Sequence, residues 1–76
     1  MDNYTRNVSQ YIGAEIKKRR KKLGVTGSLL AEHLQISQQQ VSRYERGINQ
    51  PSVMMMMRIF ASLEMSDSEI KIFLIP

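Results

Sequence analysis

The sequence of Ser37–Arg46, SQQQVSRYER, indicates a helix with a start signal, a buried side and an exposed polar side. Ser37 predicts the start of a helix because its hydroxyl can accept a hydrogen bond from a first-turn backbone N–H. Gln40 completes the pattern of a capping box, in which its side chain bonds back to the Ser37 N–H. Ile36, just before the cap, and Val41 can form a hydrophobic staple. A helix is therefore expected to begin at this serine.

This helix has an apolar side and a polar side. At about 100° per residue, Val41, Tyr44 and Glu45 fall on one side. The other side contains no carboxylate and consists of Gln38, Gln39, Ser42, Arg43 and Arg46. Glutamine can make paired hydrogen bonds to adenine in the major groove of DNA, and arginine can bind guanine or phosphate. A solvated amphipathic helix without a partner would show the same pattern. Whether this helix binds DNA therefore has to be inferred from the rest of the chain.

The composition fits one small globular domain. The chain has 76 residues, of which 42% are hydrophobic, a content typical of globular rather than disordered proteins. There is no cysteine and only one histidine, His33, so we expect neither a disulfide framework nor a metal site. The net charge of +4 indicates an anionic partner, and nucleic acid is the first candidate, although net charge also favours solubility.

The sequence lacks the groups that catalysis requires. It has no glycine-rich phosphate loop and no pair of carboxylates in a plausible cleft, so we expect no enzyme activity, no cofactor and no small-molecule ligand. No apolar run approaches the length of a membrane span. The first seven residues lack the basic-then-apolar order of a signal peptide. We therefore expect a cytoplasmic, nucleoid-associated protein that does not bind a membrane.

Residues 1–8 are polar and are expected to form a flexible arm ahead of a single domain, residues 9–76. The first helix is predicted over Ser9–Leu23, where apolar residues recur at helical spacing, and Gly24 can end it in a left-handed conformation.

The second half of this helix carries an unbroken basic run, residues 17–22. Six consecutive positions cover every face of a helix, so most of these cations are expected to be solvated. Arg20 is the exception, because it follows Ile16 by four residues and points towards the apolar side. A charge in that position needs a partner.

A short second helix is predicted over Gly27–Leu34, capped by Thr26. Its inward residues are Leu30, Ala31 and Leu34. Only Gln35 and Ile36 separate it from the capping serine of the next helix. Two helices joined by three or four residues, with a polar stripe on the second, form a helix-turn-helix. The motif lies at about residues 27–46.

Ser52 is expected to cap a fourth helix over Val53–Leu63. By their spacing, its core residues are Val53, Met56, Ile59, Phe60 and Leu63. The four methionines at 54–57 cannot all point inward, so Met54 or Met55 should be partly exposed. Flexible thioethers suit an adaptable contact surface.

The last helix is predicted from Asp67, behind a capping box formed by Ser66 and Glu69. It is apolar nearly all round, with Ile70, Ile72, Phe73, Leu74 and Ile75. Such a surface should not face water. Either the helix closes the core and contacts a second subunit, or the natural chain continues past Pro76. The residues expected in that subunit contact are Ile70, Phe73 and Leu74.

From Ile12 to about Leu63 the chain resembles the Cro/C1-type helix-turn-helix domain, the XRE family of bacterial and phage regulators. The residues that carry the resemblance are Ile16, Arg20, Leu30, Ala31, the stretch SQQQVSRYERG and the pair Pro51-Ser52. That stretch is also similar to small regulators encoded with fimbrial operons of enteric bacteria, which repress motility. The resemblance implies an all-α, lambda-repressor-like bundle of five helices.

The resemblance also implies a site for double-stranded DNA. The residues expected to read bases are Gln38, Gln39, Ser42 and Arg43. The residues expected to bind phosphate are Thr26, Gly27, Ser28, Ser37, Arg46 and Asn49. The family pairs the first-helix arginine with the third-helix glutamate, here Arg20 with Glu45, which would fix the recognition helix against the first helix.

The chain departs from the family pattern in three places. Gln35 stands where the turn usually has glycine, so a left-handed conformation there would cost about 1 kcal/mol. Gly27 replaces a polar side chain, which leaves only its backbone N–H for phosphate. The run at 17–22 is more basic than is usual.

These features predict a sequence-specific DNA-binding transcription regulator. As a homodimer it would place two recognition helices about one helical turn, roughly 34 Å, apart on a near-palindromic operator. The targets suggested by the fimbrial resemblance are fimbrial or motility genes. The alternative is an antitoxin-like module that binds a partner protein and autoregulates its operon.

Overall fold

The computed structural model describes residues 2–74 and arranges them in five α-helices with no strand in that range. The helices are α1 (Asn3–Lys22), α2 (Gly27–Leu34), α3 (Gln38–Glu45), α4 (Val53–Ser62) and α5 (Asp67–Leu74). The predicted all-α, five-helix class is confirmed. None of these five helices combines the length and the hydropathy that a membrane-spanning segment needs.

The first helix begins earlier than predicted, at Asn3 rather than Ser9. The Asp2 carboxylate caps it by accepting a hydrogen bond of 2.7 Å from the Thr5 N–H, and this bond lowers the pKa of Asp2. The predicted start was wrong because the first turns are polar on all sides and show no apolar periodicity. The flexibility of residues 1–8 stays a prediction. Ile75, expected beside the apolar face of α5, lies outside the described residues.

The predicted caps of α2, α3 and α4 are confirmed. In each, a hydroxyl oxygen accepts a hydrogen bond from the backbone N–H three residues later. The pairs are Thr26 with Leu29 at 3.0 Å, Ser37 with Gln40 at 3.0 Å and Ser52 with Met55 at 3.1 Å. Within residues 2–74, the Gln40 side chain does not return a bond to the Ser37 N–H, so this capping box is only half formed.

The capping box before α5 is complete. The Glu69 N–H donates to the Ser66 hydroxyl at 3.2 Å, and the Ser66 N–H donates to the Glu69 carboxylate at 3.0 Å. The bond from the Ser66 backbone lowers the pKa of Glu69. Both bonds were predicted from the two residues and their spacing, and both fix the turn from which α5 starts.

Among the described residues, two that are not glycine take left-handed conformations at helix ends. Gln35 ends α2 at a φ of 57°, the conformation that family members usually give to glycine. Glu64, after α4, has a φ of 54° and was not predicted. Each costs about 1 kcal/mol relative to glycine. Backbone hydrogen bonds hold the short connection between α2 and α3: the Gln35 N–H donates to the Glu32 carbonyl at 3.1 Å and the Ile36 N–H to the Ala31 carbonyl at 3.0 Å.

The core is built by all five helices. The hydrophobic residues that form it, each with at most 4% of its surface exposed, are Ile16, Leu30, Ala31, Leu34, Val41, Ile59, Leu63 and Phe73. The rings of Phe60 and Phe73 meet edge to face with centroids 5.3 Å apart, a geometry that aromatic pairs favour.

Two apolar residues lie where the sequence did not place them. Phe73 was expected in a subunit contact, but it is 2% exposed and belongs to the core of its own chain. Val53 was expected in the core, but 78% of its surface is exposed. It is the first residue of α4, and helical side chains lean towards the N-terminus, so it projects beyond the packed part of the helix. The exposure predicted for Met54 is confirmed at 71%.

Arg19 also differs from the expectation for the basic run. Its guanidinium donates hydrogen bonds to the carbonyl oxygens of Leu63 at 3.1 Å and Glu64 at 3.0 Å, and it pairs with the Glu69 carboxylate. These contacts attach the turn between α4 and α5 to α1. The Arg19 side chain, rather than solvent, therefore satisfies the backbone carbonyls of Leu63 and Glu64 at the end of α4.

Ser9 is the buried hydroxyl without a hydrogen-bond partner among residues 2–74, and it is 1% exposed. Leaving such a group unpaired is unfavourable. We expect Ser9→Ala to raise the free energy of unfolding by about 1 kcal/mol in urea denaturation. Ser68→Ala, at an exposed serine of α5, is the control for the higher helix propensity of alanine. A gain no larger than that of the control would contradict the prediction.

Candidate nucleic-acid interface

α3 lies directly on α1, and a glycine makes the close approach possible. A Cβ atom added to Gly13 would lie 2.6 Å from the carbonyl oxygen of Glu45 and would also overlap that of Tyr44. Any side chain at this position would therefore push α3 away from α1. Gly13 was not among the residues predicted from the sequence. The available signal was a glycine inside a helical pattern, beside the apolar stripe, which often marks close packing.

An ion pair fixes the same two helices. Arg20 donates two hydrogen bonds to the Glu45 carboxylate, at 2.6 and 3.0 Å, and a third to the Val25 carbonyl at 2.9 Å. The side chains of the pair are only 12% and 8% exposed. The bonds to Glu45 raise the pKa of Arg20, which stays cationic. The charge that needed a partner has one, and the pair sets the orientation of α3.

The side of α3 that faces away from α1 is polar and open to solvent. Gln38, Gln39, Arg43 and Arg46 are exposed, and Ser42 is half-buried. The Arg46 Nε donates to the Ser42 hydroxyl at 3.1 Å and to the Ser42 carbonyl at 3.3 Å. Two residues expected to contact DNA separately are therefore joined to each other. These two bonds hold the Arg46 guanidinium in one orientation, and they therefore also set the direction of its remaining N–H groups.

The N-terminal ends of α2 and α3 lie close together. A Cβ atom added to Gly27 would lie 4.0 Å from the Gln38 amide nitrogen, and no other atom lies within that distance. The oxygens of Thr26 and Ser37 accept cap hydrogen bonds, which leaves their hydroxyl hydrogens able to donate. Ser28 and Asn49, also expected to bind phosphate, are exposed.

This surface combines the features that duplex DNA requires. Amides, hydroxyls and guanidinium groups project from one short helix, and two helix N-termini add backbone donors and a positive potential. Across residues 2–74, no cluster of histidine, cysteine or acidic side chains could hold a metal ion. The arrangement is suited to hydrogen bonding and to attraction of phosphate.

A sequence profile described as helix-turn-helix matches residues 16–70. The chain belongs to the Cro/C1-type helix-turn-helix family. This helix-turn-helix protein is also similar to two crystal structures of the clp gene regulator ClgR from Corynebacterium glutamicum. Each aligns with 27% identity and a TM-score of 0.80 over 88% of the present chain, and the match covers 71% of one ClgR chain and 87% of the other. A search of curated protein sequences gave no significant match.

The family and the regulator structures agree with the geometry of the site. The match at residues 16–70 includes α2, α3 and the connection between them. The helix-turn-helix protein is therefore a DNA-binding transcription regulator. The roles of its individual residues towards bases and phosphates stay predictions.

Proposed function

We propose that this protein binds a near-palindromic operator as a homodimer and regulates transcription by occupying it. The observation that carries the proposal is the arrangement of α3: its exposed side presents Gln38, Gln39 and Arg43, while its opposite side is fixed to α1. A recognition helix held in this way can enter a major groove without losing its orientation. The net charge of +4 attracts the duplex.

Base reading and phosphate binding are assigned to different parts of the surface. Gln38 and Gln39 would contact base edges from the start of α3, and Ser42 and Arg43 would do so further along. The residues assigned to phosphates are Thr26, Gly27, Ser28, Ser37, Arg46 and Asn49. Phosphate contacts supply affinity and register, whereas base contacts supply sequence preference.

The size of the domain suits a dimer on consecutive turns of DNA. Its principal extents are 31 × 28 × 21 Å. Two such domains side by side have centres close to one helical turn apart, roughly 34 Å, on the same face of the duplex. Each α3 would then read one half-site of a dyad-symmetric sequence.

A salt series on two DNA fragments tests the proposal. Genomic fragments bound by the protein are recovered, and a fragment that shares their dyad is compared with random DNA of equal length. A regulator should bind the specific fragment at least about 10³-fold more tightly than the random one. Both affinities should fall with rising salt. Equal affinity for the two fragments would contradict sequence-specific binding.

Replacing Gln38 by alanine should relax base preference at one position of each half-site, with a loss of about 1–3 kcal/mol on the preferred sequence. Selection of bound sites from a random library measures the change as an altered site preference. Arg46→Ala is the matched comparison, because loss of a phosphate contact should weaken all sequences evenly. An unchanged preference in the glutamine variant would show that this residue does not read a base.

A second function is favoured by one observation, the exposed apolar residues of α4. Val53, Met54 and Met57 are 78%, 71% and 61% exposed. An antitoxin-like protein would use such a surface to bind a partner protein and would still bind its own operator.

The targets we propose for the regulator are fimbrial or motility genes, with the protein acting in the cytoplasm on the nucleoid. The identity of the recovered genomic fragments tests these targets.

A further inference from the structure

One strip of the exposed side of α4 is apolar along the whole helix, and the exposed Arg58 lies beside it. We name it the α4 stripe, and its members are Val53, Met54, Met57 and Ala61. All are exposed, and none carries a charge. At 100° per residue these positions fall within one arc of the helix.

The fold does not need the α4 stripe. The opposite side of α4 packs on the core with Met55, Met56, Ile59, Phe60 and Leu63. Large exposed apolar side chains that contribute nothing to the core, and that lie together on one helix face, mark a contact surface. Methionine suits such a surface because its flexible thioether adapts to a partner.

A shallow hollow of about 370 Å³ continues the α4 stripe at its C-terminal end. It is lined by Met57, Phe60, Ala61, Glu64, Met65 and Ile70. The hollow can take an apolar side chain from a partner that lies along the stripe. The surface therefore offers both a row of projecting side chains and a hollow beside it. Two packed helices fit together through such ridges and grooves.

The rival surface lies between α1 and α5, where Ile72 and Leu74 are 69% and 54% exposed. The groove beside Ile72 is lined by five charged residues, Glu15, Lys18, Arg19, Lys22 and Glu69, of which Arg19 and Glu69 pair with each other. A two-fold contact brings the same surface of both copies together. Two copies meeting here would have to remove these charged side chains from water, and that desolvation disfavours association.

We infer that the α4 stripe is the surface through which two copies of this chain associate. The inference rests on the proposed homodimer and names its interface. Two copies with a charge of +4 repel each other, so they approach best through a face without charge. The α4 stripe is such a face, and Phe73, expected in the contact from sequence, is buried in its own chain.

The first test compares one substitution on the two surfaces. Met57→Lys places a charge within the α4 stripe, and Ile72→Lys places the same charge on the rival surface. Both residues are mostly exposed, so the fold should be retained, which circular dichroism checks. In sedimentation equilibrium, Met57→Lys should raise the dimer dissociation constant about a hundredfold, and Ile72→Lys should leave it near the wild-type value.

DNA binding separates the inference from the proposed function. Met57→Lys should bind a single half-site with wild-type affinity and lose the extra affinity for the complete dyad. A dimer that survives Met57→Lys but is lost in Ile72→Lys would overturn the inference, and so would a wild-type chain that stays monomeric on the complete dyad. Failure of the wild-type protein to prefer any DNA sequence would instead refute the proposed function.

Cysteine cross-linking gives a second test that does not depend on a destabilising variant. The chain has no cysteine, so a single introduced thiol has no background. Met54→Cys, Met57→Cys and Ala61→Cys sample the α4 stripe, and Ile72→Cys is the control. A disulfide forms when two Cα atoms lie within about 7 Å, as they do near a two-fold axis. At least one stripe variant should form covalent dimers in greater yield than the control, and equal or lower yields from all three would overturn the inference.

Discussion

Gly13→Ala should destabilise the protein by about 3 kcal/mol, because the new methyl group would overlap the backbone of α3. In an ordinary helix interior the same change is stabilising by about 0.5–1 kcal/mol, so even the sign of the effect depends on the contact with α3. A domain of this size has a total stability of roughly 4–11 kcal/mol. Thermal denaturation should show a melting temperature lower by about 15 °C.

Gly24→Ala provides the control for this substitution. Gly24 has a φ of +71° and nothing within 4 Å of an added Cβ atom, so its replacement tests the backbone cost alone. That cost is about 1 kcal/mol. A Gly13→Ala protein as stable as the wild type would mean that α3 does not lie this close to α1. It would also remove one of the two contacts on which the orientation of the recognition helix depends.

Arg20→Met should cost about 3 kcal/mol, because it leaves the Glu45 carboxylate buried without its cation. Glu45→Leu should cost a similar amount by leaving Arg20 unpaired. Urea denaturation of each variant measures the loss. Binding to a single half-site should also weaken, because the carboxylate that fixes α3 to α1 comes from the last residue of α3.

The double variant Arg20→Met and Glu45→Leu distinguishes the ion pair from simple loss of packing. With both charges removed, most of the lost stability should return, since apolar groups of similar size often replace a buried ion pair without loss. A small deficit should remain, because the Val25 carbonyl loses its donor in every variant that lacks Arg20. If the two single losses simply added in the double variant, the pair would not be coupled.

Local chemistry made the helix boundaries predictable wherever a cap and an apolar period occurred together. Thr26, Ser37 and Ser52 each identified a helix start, and each forms the expected cap bond. The start of α1 was misplaced, since Asp2 caps a stretch without apolar periodicity. The polar side of α3 followed from its period alone, because an eight-residue helix has few ways to hide Val41.

Other features depend on which helices meet, and a single sequence does not state that. Ile72 and Phe73 are adjacent apolar residues of α5, yet one is 69% exposed and the other 2%. Arg19 and Arg20 are adjacent in one basic run, yet the first binds the turn before α5 and the second binds α3. Neighbouring positions on a helix point about 100° apart, so each finds a different part of the fold.

The number of helices, the starts of α2 to α5 and the polar side of α3 followed from the amino-acid sequence alone, because these depend on interactions over three or four residues. The tertiary structure fixes how closely α3 lies on Gly13, which groups bind Arg19 and which apolar residues remain outside the core. The physical reason is that packing is settled by volume and distance between helices far apart in the chain. The same reason explains why one face of α4 is exposed: the opposite face packs on the core and no other described helix covers this one.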